Sequence, residues 1–422
     1  MKSIILSFIV LITFSFSSDN VIENPILVST QKELRDAIKV VQPGETIVMK
    51  NGIWQDAAIV FYGEGSEDNL ITLKAETPGG VILSGNSSIM LGGSYLSVEG
   101  LYIKNGFTTE NAVIRFKIDD ARPAFHSQVT DCVIEDFTTP DRNIQNHWIE
   151  LWGQHNSITN NYIAGKTNRG PTIRAFLEGN ENINTYHQIK DNHFGPRPRR
   201  GGPQGETMQL GSSNTSMTPA YINVEHNYFE RCNGEVEIIS SKSNYNTFKN
   251  NVFFESEGSL VLRHGNYATI DGNLFIGNDN SPFIGGIRVI NTGHWIYNNY
   301  FYKLKGEEFR GALAVMNGIP KSPLNRYNQV TDVVVAYNTY FDCKTPWHFG
   351  VGANLSQRDV LPASEIRSAR AERMIVANNI IYTDQDAAPV IKTYDSITGV
   401  SFKKNISNIN AKETYQTDGL AT

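Results

Sequence analysis

The feature that most constrains this chain is a short pattern that recurs across most of its length: a polar residue, usually asparagine, followed by apolar or aromatic ones. It occurs as Asp131-Cys132-Val133-Ile134, Asn161-Tyr162-Ile163, Asn192-His193-Phe194, Asn227-Tyr228-Phe229 and Asn251-Val252-Phe253. It returns as Asn273-Leu274-Phe275, Asn299-Tyr300-Phe301, Asn338-Thr339-Tyr340-Phe341 and Asn379-Ile380-Ile381. The steps are 30, 31, 35, 24, 22, 26, 39 and 41 residues. A floor near 22 with irregular excess fits a solenoid whose coils share a core path and carry variable loops. In a right-handed parallel β-helix, successive strands stack about 4.8 Å apart. An asparagine at one corner of every coil can then bond the asparagines above and below while satisfying the turn backbone. The following Phe, Tyr and Ile residues fill the interior. Asparagine supplies 42 of the 422 residues, which such a ladder would explain. A propeller would repeat at a steadier spacing, with blade motifs that are missing here.

The remaining patterning agrees. One helix is expected from Ser29-Thr30-Gln31-Lys32-Glu33 to Pro43-Gly44, with Leu34, Ala37, Ile38 and Val41 as its apolar stripe. It would cap the first open coil. After it come short β-rich runs, ILVS, TIVM, LITLKA, VILSG and YLSVEGLYI, bounded by Gly, Asn, Asp and Ser. The fold class is therefore all-β: one parallel β-helix domain over residues 19–422, with a helical cap and an asparagine ladder. Residues 1–18 read as a Sec signal peptide, with Lys2 before the apolar run Ile4–Phe14 and small residues at the end. That run is too short to span a bilayer, so an exported product, periplasmic or secreted and without membrane insertion, is expected, as a monomer. Thirty-seven Lys+Arg against 43 Asp+Glu leave a net charge of −6, so no global basic field favours nucleic acid. Three scattered cysteines exclude a disulfide framework.

Unusual polar residues concentrate between Gly195 and Gly265, in GPRPRRGGPQGET, NGEVEIISSKS and LVLRHG. Glu235 and Glu237 stand two apart on a β-run, which points both carboxylates to one face. Lys242 and Arg263 are separated by 21 residues, close to the shortest coil step, which puts them on neighbouring coils. Glu206 fits the same face one coil earlier, and His264 follows Arg263. Carboxylates, Lys, Arg and His converging on one face would make a catalytic cleft. Singly, each reads as well as part of a solvated surface. Arg288 and Arg310 lie on later coils and could salt-bridge an anionic partner. Arg197, Arg199 and Arg200 form an expected basic loop, and Tyr245 and Tyr267 are candidate stacking platforms for a ligand.

The stretches NGEVEIISSKSN, LVLRHGN and RPRRGGPQGETMQLG, together with the opening STQKELRDAIKVVQPGETIVMKNGIW, resemble polysaccharide lyase family 6, which contains alginate lyases and chondroitinase B. The likeness covers most of the mature chain. It implies β-elimination on a 1,4-linked uronate polymer, with alginate as the expected acidic polysaccharide partner. By resemblance, Lys242 is the base at C5, and Arg263, with His264, assists the departing O4. Glu206, Glu235, Glu237, Arg288 and Arg310 would contact substrate. The family also implies Ca²⁺, held by an Asn and by the two carboxylates of Glu-x-Glu. Here Glu235 and Glu237 are the expected metal ligands, but the Asn position falls on Pro203, which has no side-chain oxygen. A calcium site and a site neutralised by Arg and Lys alone both stay open at this point. Competing readings are a chondroitinase-like lyase on dermatan sulfate, a pectin-type hydrolase and a carbohydrate-binding β-helix. The hydrolase would need several close aspartates, and only Asp119-Asp120 are adjacent.

Overall fold

In the computed structural model, residues 25–384, 389–409 and 419–421 are described. The expected signal segment 1–18 lies outside them, as does part of the last stretch after Asn405. The chain winds through three parallel sheets of 14, 14 and 13 strands, the first, second and third in the order a coil meets them. A typical coil contributes one strand to each sheet. One such coil runs through Asn223–Glu225, Tyr228–Glu230 and Glu237–Ser241, and the next through Thr247–Lys249, Val252–Phe254 and Gly258–Leu262. Each strand pairs in parallel with its counterpart on the next coil. This is a parallel β-helix.

The asparagine ladder sits at the corner between the first two strands of each coil. Asn161, Asn192, Asn227, Asn251, Asn273, Asn299, Asn338, Asn379 and Asn405 are all buried. Asn251 shows the pattern. Its main-chain N–H and its Nδ2 both donate to Oδ1 of Asn273, at 3.0 and 2.9 Å, and Nδ2 also donates to the Val224 carbonyl. Its own Oδ1 accepts the same two bonds from Asn227. Every amide is thereby satisfied inside the stack, where an unpaired one would be costly. The residue before each rung takes the left-handed conformation that the corner demands, as in His226 (φ 54°) and Asn250 (φ 52°). One assignment shifts by a residue. Asp131 occupies this left-handed place (φ 55°), and Cys132 holds the rung, donating its N–H to Asn161.

Two residues after six consecutive rungs, Asn192 to Asn338, the interior carries a column of rings: Phe194, Phe229, Phe253, Phe275, Phe301 and Tyr340. Their centroids lie 4.6–5.0 Å apart in nearly parallel planes. That spacing is the strand spacing itself, so packing and hydrogen bonding favour the same register. The helix spans Gln31–Ile38, with Thr30 as its N-cap accepting from the Glu33 N–H and with Leu34, Ala37 and Ile38 buried. Its contacts with the first strands place it over the open end of the stack. The three cysteines are free and buried.

Replacing Asn251 with Ala should remove about 3 kcal/mol of stability, because it orphans two donors and a carbonyl in the interior. Chemical denaturation checks this, and a loss below about 1 kcal/mol would show that the rung is not a structural bond.

Candidate active site

The site lies on the outer side of the third sheet. Strands Met208–Leu210, Glu237–Ser241 and Gly258–Leu262 pair in sequence, with Leu210 opposite Ser241 and Ser241 opposite Leu262. Lys242 and Arg263 follow directly, and the ladder continues through them: Lys242 N donates to Leu210 O, and Arg263 N to Ser241 O. The two cations therefore stand side by side on adjacent coils, both half-buried, as their spacing implied.

At the other end of the same strands, Glu206, Glu235 and Glu237 converge, with one carboxylate oxygen from each within 4.8 Å of the others. The expected reason holds only in part. Glu237 opens its strand, whereas Glu235 sits in the turn before it. Two glycines bring the turns together. A Cβ on Gly234 would stand 2.0 Å from the Gly205 carbonyl, so only glycine lets these backbones touch. Glu206 is 4% exposed and its Oε2 has no partner. Burial, then the charges of Glu206 and Glu237, push the Glu235 carboxyl up to about 9. Burial also raises the Glu206 carboxyl. Three hard oxygen donors, one orphaned and one held protonated by its neighbours, suit a hard divalent cation. Pro203 lines the cleft beside Glu235, and its main-chain oxygen already accepts from Arg200 at 2.9 Å.

Cations border the carboxylates. Glu237 Oε1 lies 3.7 Å from Arg263 Nε and 3.6 Å from Arg288 Nη1. Arg288 is 5% exposed and anchored to the Phe309 carbonyl at 3.0 Å, yet its Nη2 is unpartnered, as is Arg263 Nη1. Arg310 stands further off, in a cleft of about 370 Å³ shared with Arg199, Asn233, Glu235, Glu257 and Phe283. His264 is buried, with Nδ1 3.2 Å from the Arg326 carbonyl and Nε2 3.4 Å from Ser213 Oγ. Burial, aided by Arg263 and Lys242, lowers its pKa to about 3, so it is uncharged near neutrality.

Some expected pieces are placed differently. Arg197 is no part of a basic rim: it is 3% exposed, and its guanidinium donates to the carbonyls of Glu206 and Gly170 and to Thr172 Oγ1. It ties down the loop that carries Glu206. Arg199 is paired with Glu257. Tyr245 and Tyr267 stack on one another 5.2 Å apart at a corner, with Tyr221 on the far face of Tyr245, so both faces of Tyr245 and one face of Tyr267 are already used. Sequence reasoning missed Tyr327, whose ring lies 4.3 Å beneath the Arg263 guanidinium. The available signal was the long step from Asn299 to Asn338, which gives this coil a large loop.

A family model described as chondroitinase B matches residues 28–422. The chain belongs to this family, polysaccharide lyase family 6. Among solved structures, this family-6 chain is similar to a mutant of the PL6 family alginate lyase AlyGC, at 40% identity and a TM-score of 0.89. That match covers 94% of this chain and 53% of the other, so the chain spans about half the length of AlyGC. It is also similar to a mannuronic acid specific family 6 lyase from human gut microbiota, at 27% identity and a TM-score of 0.83, covering 94% and 91%. No curated protein sequence matched the chain.

The carboxylate cluster sets a pH dependence. An acid whose folded pKa is raised binds more protons folded than unfolded, so stability falls as pH rises between the two values. In divalent-free buffer, the melting temperature should decline from about pH 4.5 towards about pH 9, and Glu235→Gln should flatten that slope. A wild-type curve that is level across this window would contradict the clustering.

Proposed function

We propose that this chain is an exported alginate lyase that cleaves mannuronate-containing polymer by β-elimination. The observation that carries the reading is the pairing of Lys242 with Arg263 on adjacent coils, beside three clustered carboxylates, in a family-6 chain. The resemblance to lyases named for alginate and for mannuronic acid supports the substrate. Export rests on the apolar segment near the start of the chain. No helix among the described residues is long and apolar enough to cross a membrane.

The chemical difficulty is the acidity of C5–H. Its carbanion lies next to a carboxylate, so removing the proton builds a second negative charge on one group. Lys242 Nζ, as the neutral amine, takes the C5 proton and becomes the ammonium; no hydrogen bond or ion pair holds this amine among the described residues. The electron pair then forms the C4–C5 double bond as the C4–O4 bond breaks. Arg263, whose Nη1 is unpartnered, donates a hydrogen bond to the departing O4. A guanidinium keeps its proton, and His264, with its low pKa, carries no acidic imidazolium proton at working pH. We therefore assign final protonation of O4 to water and give His264 the role of fixing the Arg263 turn against Ser213 and Arg326. In mannuronate, H5 and O4 lie on one side of the ring, so both groups reach it from the same face.

Arg288 and Arg310 bind uronate carboxylates in this account. Glu206, Glu235 and Glu237 would hold Ca²⁺, with Glu206 as the carboxylate that offsets the loss of Asn at Pro203. When bound, the ion supplies positive charge against the carboxylate next to C5. A dermatan sulfate reading would call for extra rim cations. Arg199 is already paired with Glu257, which weighs against it.

Mature protein incubated with mannuronate-rich and guluronate-rich alginate, dermatan sulfate and pectate should raise ultraviolet absorbance, from the unsaturated uronate, most strongly with mannuronate-rich alginate. Lys242→Ala and Arg263→Ala should each lower kcat by about 10³-fold or more with the fold retained. Reducing ends formed without the absorbance band, or full activity in either variant, would overturn the assignment. Exhaustive chelation should suppress turnover, and added Ca²⁺ should restore it. Unchanged activity in chelator would remove the metal from the account.

A further inference from the structure

Outward residues on the third sheet form a column in strict register: Arg115, Glu150, Arg174, Gln209, Ser240, Val261 and Arg288 on successive coils. Its arginines differ in one respect. Arg115 is paired with Glu150 at 3.1 Å, and Arg288 faces Glu237. Arg174 has no hydrogen bond or ion pair among the described residues, and its Nε is buried without a partner. Of the nearby carboxylates, Glu150 holds His147, Arg115 and Trp152, Glu178 accepts from the Leu177 N–H and Ser212, and Glu206 belongs to the cluster with Glu235 and Glu237. The guanidinium is nevertheless held in place, 4.3 Å over the Phe176 ring, which in turn stacks on Trp152 at 4.1 Å. A half-buried, oriented guanidinium that no carboxylate pairs with directly is ready for a planar anionic partner.

The neighbouring column gives it a path. Phe176, Gly211 and Lys242 follow one another, because Gly211 N bonds Ala175 O and Lys242 N bonds Leu210 O. Gly211 adopts φ +87°, is buried and carries no side chain, so none rises between Phe176 and Lys242. Two coils separate Arg174 from Lys242, about 10 Å along the stack. Arg288 lies on the coil after Arg263. A polymer laid along this wall would meet Arg174 on one side of the reacting bond and Arg288 on the other.

We propose that Arg174 is a distal subsite that binds the carboxylate of a uronate residue beyond the bond being cut. It rests on the lyase reading above and adds a chain-length dependence to it. Phe176 and Trp152 are positioning residues that aim the guanidinium.

The test is a length series of mannuronate oligosaccharides, assayed by unsaturated product with wild type, Arg174→Gln and Arg174→Lys. Wild-type KM should drop once the chain is long enough to reach the subsite. Arg174→Gln should lose that drop, raising KM for long chains by about tenfold or more, with kcat and the handling of the shortest cleavable chain unchanged. Arg174→Lys, which keeps the charge but not the planar fork, should fall between them. Equal KM values for wild type and Arg174→Gln at every length would overturn the subsite. If melting curves show that Arg174→Gln is misfolded, Arg174→Lys decides: a raised long-chain KM supports the subsite, and a wild-type value refutes it. Should wild type release no unsaturated product from any chain, the lyase reading falls. Calorimetric binding of the same oligosaccharides, weakened or not by the substitution, then judges Arg174 separately.

Discussion

The register between coils is the constraint on which everything else in this molecule depends. A parallel stack with a one-residue slip would turn every inward side chain outward. Here the asparagine corner prevents it, since each rung bonds the next through both main chain and side chain. The aromatic column enforces the same alignment from inside. With register fixed, residues far apart in sequence become neighbours at strand spacing, and a site can be assembled from single positions on successive coils. Lys242 and Arg263 owe their adjacency to this and to nothing local.

The site is also where the fold sets aside its own rules. In the ladder, the buried asparagine amides find partners. Around Glu206, Glu235 and Glu237, three carboxylates share one small space, and Glu206 Oε2 is unsatisfied. Nearby, Arg263 and Arg288 carry unpartnered guanidinium nitrogens. Such groups are costly in an interior unless a ligand completes them. Their arrangement has a direction: surplus negative charge at one end of the strands, and surplus positive charge along the wall. A cation and a polyanion, bound together, would satisfy both.

The scaffold was readable because its bonds repeat. Eight asparagine rungs, a capping helix and the coil floor of 22 residues all leave periodic traces. The pairing of Lys242 with Arg263 followed from the same period. What could not be read came from loops and from burial. Asp131 resembles a rung, yet the corner geometry assigns that place to Cys132. Arg197 sits in a run of basic residues, and only the packed loop shows that it is spent on backbone carbonyls. Tyr327 arrives from an insertion that has no period. Glu206 was visible as a neighbour of the site, but its place beside Glu235 depends on the contact between Gly205 and Gly234.

The most direct measurement is a crystal structure of the Lys242→Ala protein with a mannuronate oligosaccharide and Ca²⁺. In this account the sugar lies along the third sheet, with C5 of one ring over the vacated position 242, O4 within about 3 Å of the Arg263 guanidinium and the carboxylate turned towards Glu206, Glu235 and Glu237. An oligosaccharide bound on another face, or with its carboxylate turned away from that cluster, would contradict it.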